Sequence, residues 1–146
     1  MAIVKEVTIR VSNNKSVIDK PIYLYLGDGS VTLLINILDV TMKVGTYVES
    51  TNIIEEFDTK WAKVCLLKPD NTIVYGRQCT VKDNKLSFLI DKEFIDELGE
   101  EGEHLLQIHL YDSNETNVNG VNRYTIPPIS LQVLKPLCDI GHDSTP

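Results

Sequence analysis

Histidine and cysteine have the widest chemical reach of any residues in this chain, and their spacing limits what they can do. His104, His109 and His142 form no HExxH pattern and no other metal-ligand spacing. In a strand, His104 and His109 fall on opposite faces because side chains alternate, so no shared metal is expected. Cys65, Cys79 and Cys138 are odd in number and contain no CxxC pair, unlike a zinc site or a secreted disulfide framework. They read as reduced, buried thiols packing as small apolar residues. If Pro69-Asp70-Asn71 turns a hairpin, Cys65 faces the neighbourhood of Gly76 and Cys79 that of Ala62, too far apart for a bridge.

Other chemistries fail on similar grounds. There is no GxSxG elbow and no cysteine-centred catalytic signature. The run Gly27-Asp28-Gly29-Ser30-Val31-Thr32 lacks the GK[ST] ending of a phosphate loop, and a strand rather than a helix is expected after it. Asp96, Glu97, Glu100, Glu101 and Glu103 lack the alternating oxygen ligands of a calcium loop and read as a solvated helix end. Asn14-Lys15-Ser16 and Asn114-Glu115-Thr116 match the glycosylation sequon, but Met1–Glu6 shows no signal peptide, so both read as chance matches. The expectation is a protein that is not an enzyme and that has no cofactor, metal or catalytic residues.

The aromatic residues leave more open. Tyr23, Tyr25, Tyr47, Tyr75, Tyr111 and Tyr124 accompany a single tryptophan, Trp61. Tyr23, Tyr25 and Trp61 are the candidate face: rings there could stack on cell-wall carbohydrate, anchor a protein interface or fill the core.

The elements that would position these groups have a period of two. Apolar residues alternate at Val7/Ile9/Val11, Ile22/Leu24/Leu26, Val31/Leu33/Ile35/Ile37, Ala62/Val64/Leu66, Leu86/Phe88/Ile90, Leu106/Ile108/Leu110 and Ile129/Leu131/Val133. Each such run can pack one face on a core and wet the other. Turn residues separate them: Gly27–Ser30, Pro69–Asn71 and Asp83-Asn84, with an exposed loop expected over 112–117. About seven to nine short strands at this spacing predict an all-β sandwich or barrel. Asp91–Gly99 breaks the period with an N-cap candidate, early acidic residues and a closing glycine, which predicts one short helix near 91–98, with Phe94, Ile95 and Leu98 plugging one end. Pro127-Pro128 predicts a last strand that starts late or runs at an edge. Residues 44–60 read as an excursion that strand or helical turn would fit. Residues 1–134 are expected to form the sandwich domain, and 135–146 a linker-like tail continuing into a longer chain.

Composition narrows the partners. The chain has 146 residues, with 14 Lys+Arg against 21 Asp+Glu and a formal charge of −7. That length suits one domain with a core of its own. The negative balance disfavours nucleic acid, which calls for a basic footprint, and an anionic membrane surface. No apolar stretch reaches the roughly 18 residues of a membrane span, and the chain reads as soluble and made in a cytoplasm.

Taken in order, several motifs resemble a known family. They are Leu26-Gly27-Asp28-Gly29-Ser30-Val31-Thr32-Leu33, Lys63-Val64-Cys65-Leu66-Leu67-Lys68-Pro69-Asp70-Asn71, Val81-Lys82-Asp83-Asn84-Lys85-Leu86-Ser87-Phe88, Leu106-Gln107-Ile108-His109-Leu110-Tyr111-Asp112 and Ile129-Ser130-Leu131-Gln132-Val133. The set resembles the N-terminal domain of the baseplate upper protein of siphophages that infect Gram-positive bacteria. That family pairs a GD turn, a K-P-D-G turn and a G-x-Y/H…I-x-L-x-D strand in this order. The resemblance spans roughly residues 18–134. Asn71 stands where the family has Gly, and the 44–60 stretch is longer than the usual connection. The resemblance implies an immunoglobulin-like sandwich without catalytic residues. It also implies a virion location in the tail baseplate, other baseplate or tail proteins as partners, and a homo-oligomer in the assembled particle. The alternative expectation is a carbohydrate-binding or receptor-tip domain using the candidate aromatic face.

Overall fold

The computed structural model describes residues 3–42, 48–114 and 122–137. The fold is all-β. Its strands are β1 (Ile3–Ser12), β2 (Lys15–Ile18), β3 (Ile22–Tyr25), β4 (Val31–Met42), β5 (Val48–Asn52), β6 (Trp61–Leu67), β7 (Ile73–Lys82), β8 (Lys85–Ile90), β9 (Gly102–Tyr111) and β10 (Arg123–Leu134). Two short helices, α1 (Ile53–Glu56) and α2 (Lys92–Leu98), interrupt them.

The strands make one curled, mixed sheet in the order β2-β1-β4-β8-β7-β6-β9-β10-β3, with β5 paired to the far end of β4. Strand β7 belongs to both halves: Ile73–Cys79 lies against β6, and Thr80–Lys82 against β8. The sheet curls so far that its two ends approach each other, where Ser16 Oγ on β2 donates to the Pro127 carbonyl on β10 at 2.7 Å. Two pairings are parallel, β1 with β4 and β3 with β10, and the second joins Ile22 to Leu131. The alternating apolar residues of both halves merge into one core. Ile9, Leu33, Leu66, Leu86, Phe88, Ile108 and Leu131 are all essentially solvent-free there, each contributing roughly 1.5–3 kcal/mol of burial.

The turns follow the residues that punctuate the sequence. Asn13-Asn14 and Asp83-Asn84 both sit at positive φ, the backbone that two-residue hairpin turns require. Asn71 takes φ 70°, a left-handed position that Asn tolerates in place of Gly. Helix α2 is capped as the sequence indicates: Asp91 Oδ1 accepts from the Phe94 N–H at 2.8 Å, and Gly99 closes the helix at φ 69°. Phe94, Ile95 and Leu98 are buried, and Phe94 meets Phe88 edge to face at 5.3 Å. Arg77 of β7 lies over the Phe94 ring and pairs with Asp91 and Glu97, which ties the helix to the shared strand.

One segment resolves an alternative that the sequence leaves open, and another differs from the sequence reading. Within the 44–60 excursion, β5 is followed by α1, capped by Asn52 Oδ1 accepting from the Glu55 N–H, with Ile53 and Ile54 buried; residues 43–47 lie outside the described residues, and so do residues 115–117 of the loop expected over 112–117. The last strand neither starts late nor lies at the sheet edge, because β10 begins at Arg123 and sits between β9 and β3. A bulge opposite Gln107 makes this possible, since Ile126 pairs with Ile108 and Ile129 with Leu106. Pro127 and Pro128 thereby stand outside the ladder, where their missing N–H groups cost nothing.

A second bulge sets two β7 residues, Tyr75 and Gly76, opposite Cys65 of β6. A Cβ on Gly76 would lie 2.6 Å from the Val64 carbonyl oxygen and 2.5 Å from the Lys63 stem. Gly76→Ala is therefore expected to lower stability by about 1–3 kcal/mol through overpacking. Urea denaturation of the two proteins measures this, and an unchanged midpoint would contradict the close approach.

Candidate functional site

The residues of greatest chemical reach do not converge. On β9, His104 faces the core and is fully buried, whereas His109 lies on the outer face. His104 Nδ1 lies 3.2 Å from the Gly102 carbonyl, which makes it the donor, and Nε2 is buried without a partner. On the outer face His109 occupies a row with Lys63 of β6 and Thr125 of β10, and its Nδ1 is 2.9 Å from Thr125 Oγ1. Partial burial, then the nearby Arg123 and Lys63 charges, lower the His109 pKa below its ordinary value. Among the described residues no three His, Cys, Asp or Glu side chains come within reach of one metal ion; His142 lies outside them.

The cysteines take the places their hairpin arithmetic indicates. Cys79 pairs in register with Ala62, and Cys65 faces the bulge at Gly76. Both are free thiols. Burial pushes the Cys79 thiol up to about 12, whereas Cys65 is part-exposed on the outer face. Cys138 lies outside the described residues. Gly27–Ser30 is a turn leading into β4, and no helix follows it. In the acidic cluster, Asp96 pairs with Lys92, Glu97 with Arg77, and Glu103 accepts from Ser130.

The candidate aromatic face separates into two places. Tyr23 and Tyr25 project outward from β3, 44% and 42% exposed. Trp61 is not beside them. It lies on β6, with β9 and β10 between, and is 9% exposed with its ring stacked on Tyr111 at 4.2 Å. Along β9 the Trp61 row meets Tyr111 and the Tyr23 row meets Glu103 through Gln132. At roughly 3.4 Å per residue these rows are about 27 Å apart. A sugar platform joining Trp61 to the two tyrosines is therefore not built; tight packing against Tyr111 removes the indole from the surface. Tyr124 meets Phe57 edge to face, and Tyr47 lies outside the described residues.

Two surface features remain, and the sequence reading missed both. On the outer face of the β7-β6-β9-β10 half, Leu67, Ile73, Leu105 and Pro128 line a shallow apolar groove of about 250 Å³ with Cys65 and Gln107. Ile73 is 51% exposed. The signal for it lay in odd-numbered apolar residues, Leu67, Ile73 and Leu105, which fall out of phase with the core set.

The second is a wedge where the curled sheet fails to close. Strands β1 and β2 pair from Ser12–Lys15 to Ile9–Ile18. Thr8 and Asp19 add the last link, the Asp19 N–H donating to the Thr8 carbonyl and the Thr8 N–H to Asp19 Oδ1. Beyond it the chains part, β1 running on beside β4 and β3 crossing to β10. Val4–Val7, Lys20–Tyr23 and Leu33 bound the resulting cleft of about 310 Å³.

No family model matches this chain, and no curated protein matches it in sequence.

Two outcomes follow from these environments. Alkylation of the native protein by iodoacetamide near neutral pH, read by peptide mass spectrometry, should modify Cys65 at least roughly 100-fold faster than Cys79, since the thiolate is the reactive form. Comparable rates would contradict the burial of Cys79. The His109 ring should titrate by NMR below about 6.5. The unfolded chain then binds the proton more readily than the folded one, so His109 contributes full stability above about pH 6.5 and loses it as pH falls toward the folded pKa. His109→Gln should flatten that part of the stability profile; an NMR midpoint at or above the ordinary value would refute the assignment.

Proposed function

We propose that the chain is a non-enzymatic structural module of a phage or prophage tail baseplate, holding a receptor-binding apparatus to the tail by protein–protein contacts. In this reading its place is the virion, its partners are other baseplate or tail proteins, and it is a homo-oligomer in the assembled particle. The observation that carries the docking role is the apolar groove of Leu67, Ile73, Leu105 and Pro128 on the outer face of the sheet, beside the bulges of β7 and β10. A groove of this kind can seat an apolar anchor side chain of a partner, and a sheet tied together by a shared strand can present it without rearrangement. The order of turn and strand motifs from Leu26 to Val133 supplies the baseplate context. The glycan-binding alternative now rests on Tyr23 and Tyr25 alone.

Co-expression with the tail and baseplate proteins of a siphophage of Gram-positive bacteria, followed by size-exclusion chromatography with light scattering, tests the reading. A stoichiometric complex is expected, weakened at least roughly tenfold, about 1.4 kcal/mol, by Ile73→Asp combined with Leu105→Asp at unchanged thermal midpoint. A monomer that joins none of these proteins but binds cell-wall glycans saturably would replace this reading with the alternative.

A further inference from the structure

The wedge between β1 and β3 is bounded by backbone that no strand among the described residues pairs. Ile3 N donates to the Ser30 carbonyl beside β4 at 3.1 Å. Successive residues of a strand turn their N–H and C=O groups to opposite edges, so Val4 and Glu6 present theirs to the wedge. Across it, Leu26 N donates to the Leu134 carbonyl at 2.9 Å, which sets Leu24 toward β10 and Tyr23 toward the opening. The floor is apolar and well buried: Val7, Ile22 and Leu33 are 3%, 3% and 0% exposed. At the mouth Ile3 and Val4 are 62% and 58% exposed, on a strand whose edge is bare. Unpaired edges of this kind are templates for another strand.

Charge narrows what would enter. Lys5 and Lys20 both line the wedge, and neither has an ion-pair partner among the described residues, in a chain of formal charge −7. The carboxylate beside them, Glu6, is engaged mainly by Asn36 Nδ2 at 2.9 Å and Lys85 Nζ at 3.4 Å, which with a weaker attraction from Lys20 hold its pKa below the ordinary value.

We infer that the wedge is a strand-addition site: an extended segment of a partner protein, alternating apolar and acidic residues, pairs with the free edge of β1, packs beside the exposed Ile3 and Val4, and neutralises Lys5 and Lys20. The inference rests on the docking role proposed above and names a second contact for it, one made through backbone hydrogen bonds.

The test uses a short synthetic peptide alternating Val with Asp, a counterpart with Lys for Asp, and an N-methylated copy that cannot pair. Binding is followed by fluorescence anisotropy and amide exchange by NMR. The acidic peptide should bind, slow exchange at Val4 and Glu6 at least roughly tenfold, and lose about tenfold in affinity with Lys5→Glu or Lys20→Glu. No binding, equal binding of the Lys or N-methylated peptide, or protection confined to other residues would overturn the inference. So would a peptide-free dimer that protects the same amides, which would make a second copy of the chain the occupant. Peptide binding as expected without any complex with tail proteins removes the baseplate reading and leaves the wedge; a tail-protein complex in which Val4 and Glu6 exchange freely does the reverse.

Discussion

A sheet with one apolar face must bury it, and a sheet of this length can do so only by curling onto itself. The curl depends on β7, the one strand that pairs with both halves: Ile73–Cys79 bonds to β6, and Thr80–Lys82 to β8. The bulge at Tyr75-Gly76 gives that strand the extra local twist to change partners. Arg77, next to the bulge, carries the constraint outward to α2 through Phe94, Asp91 and Glu97. The helix in turn closes the end of the core with Phe94, Ile95 and Leu98. A change at the bulge would therefore reach the alignment of the two halves and the seating of the helix together.

Interactions within one strand or one turn were legible in the sequence. Val31, Leu33, Ile35 and Ile37 declare their buried face by alternation. Asp91 and Gly99 declare the ends of a helix by capping chemistry, and Pro69–Asn71 declares a hairpin that carries Cys79 to the neighbourhood of Ala62, the bulge at Tyr75-Gly76 setting the final register. What depends on partners distant in the chain was not legible. The prolines at 127 and 128 forbid ladder bonds locally, but whether the strand ends or bulges around them depends on β9. Trp61 has no local mark of burial; it is covered because Tyr111, fifty residues later, arrives in register beside it. The wedge is the extreme case, since it exists only because β3 leaves β1 for β10.

The candidate residues followed the same division. His104 and His109 could be assigned to opposite faces from their spacing, and the structure separates them accordingly. The apolar groove drew on Leu67, Ile73 and Leu105, three side chains unremarkable singly that the sheet brings side by side. A surface assembled from several strands leaves no motif in any one of them, which is why a docking role is harder to read from sequence than a catalytic one.

The parallel pairing of β3 with β10 also governs when this domain can finish folding. Ile22–Tyr25 is made more than a hundred residues before its hydrogen-bonding partners, Leu131–Leu134. While the ribosome works through everything between, β3 has no place to pair, and Ile22 and Leu24 wait with their apolar sides uncovered. Such a non-local closure is slow and loses loop entropy before any contact rewards it. The nascent chain must therefore keep β3 out of trouble until β10 arrives, a period in which chaperones have the most to offer.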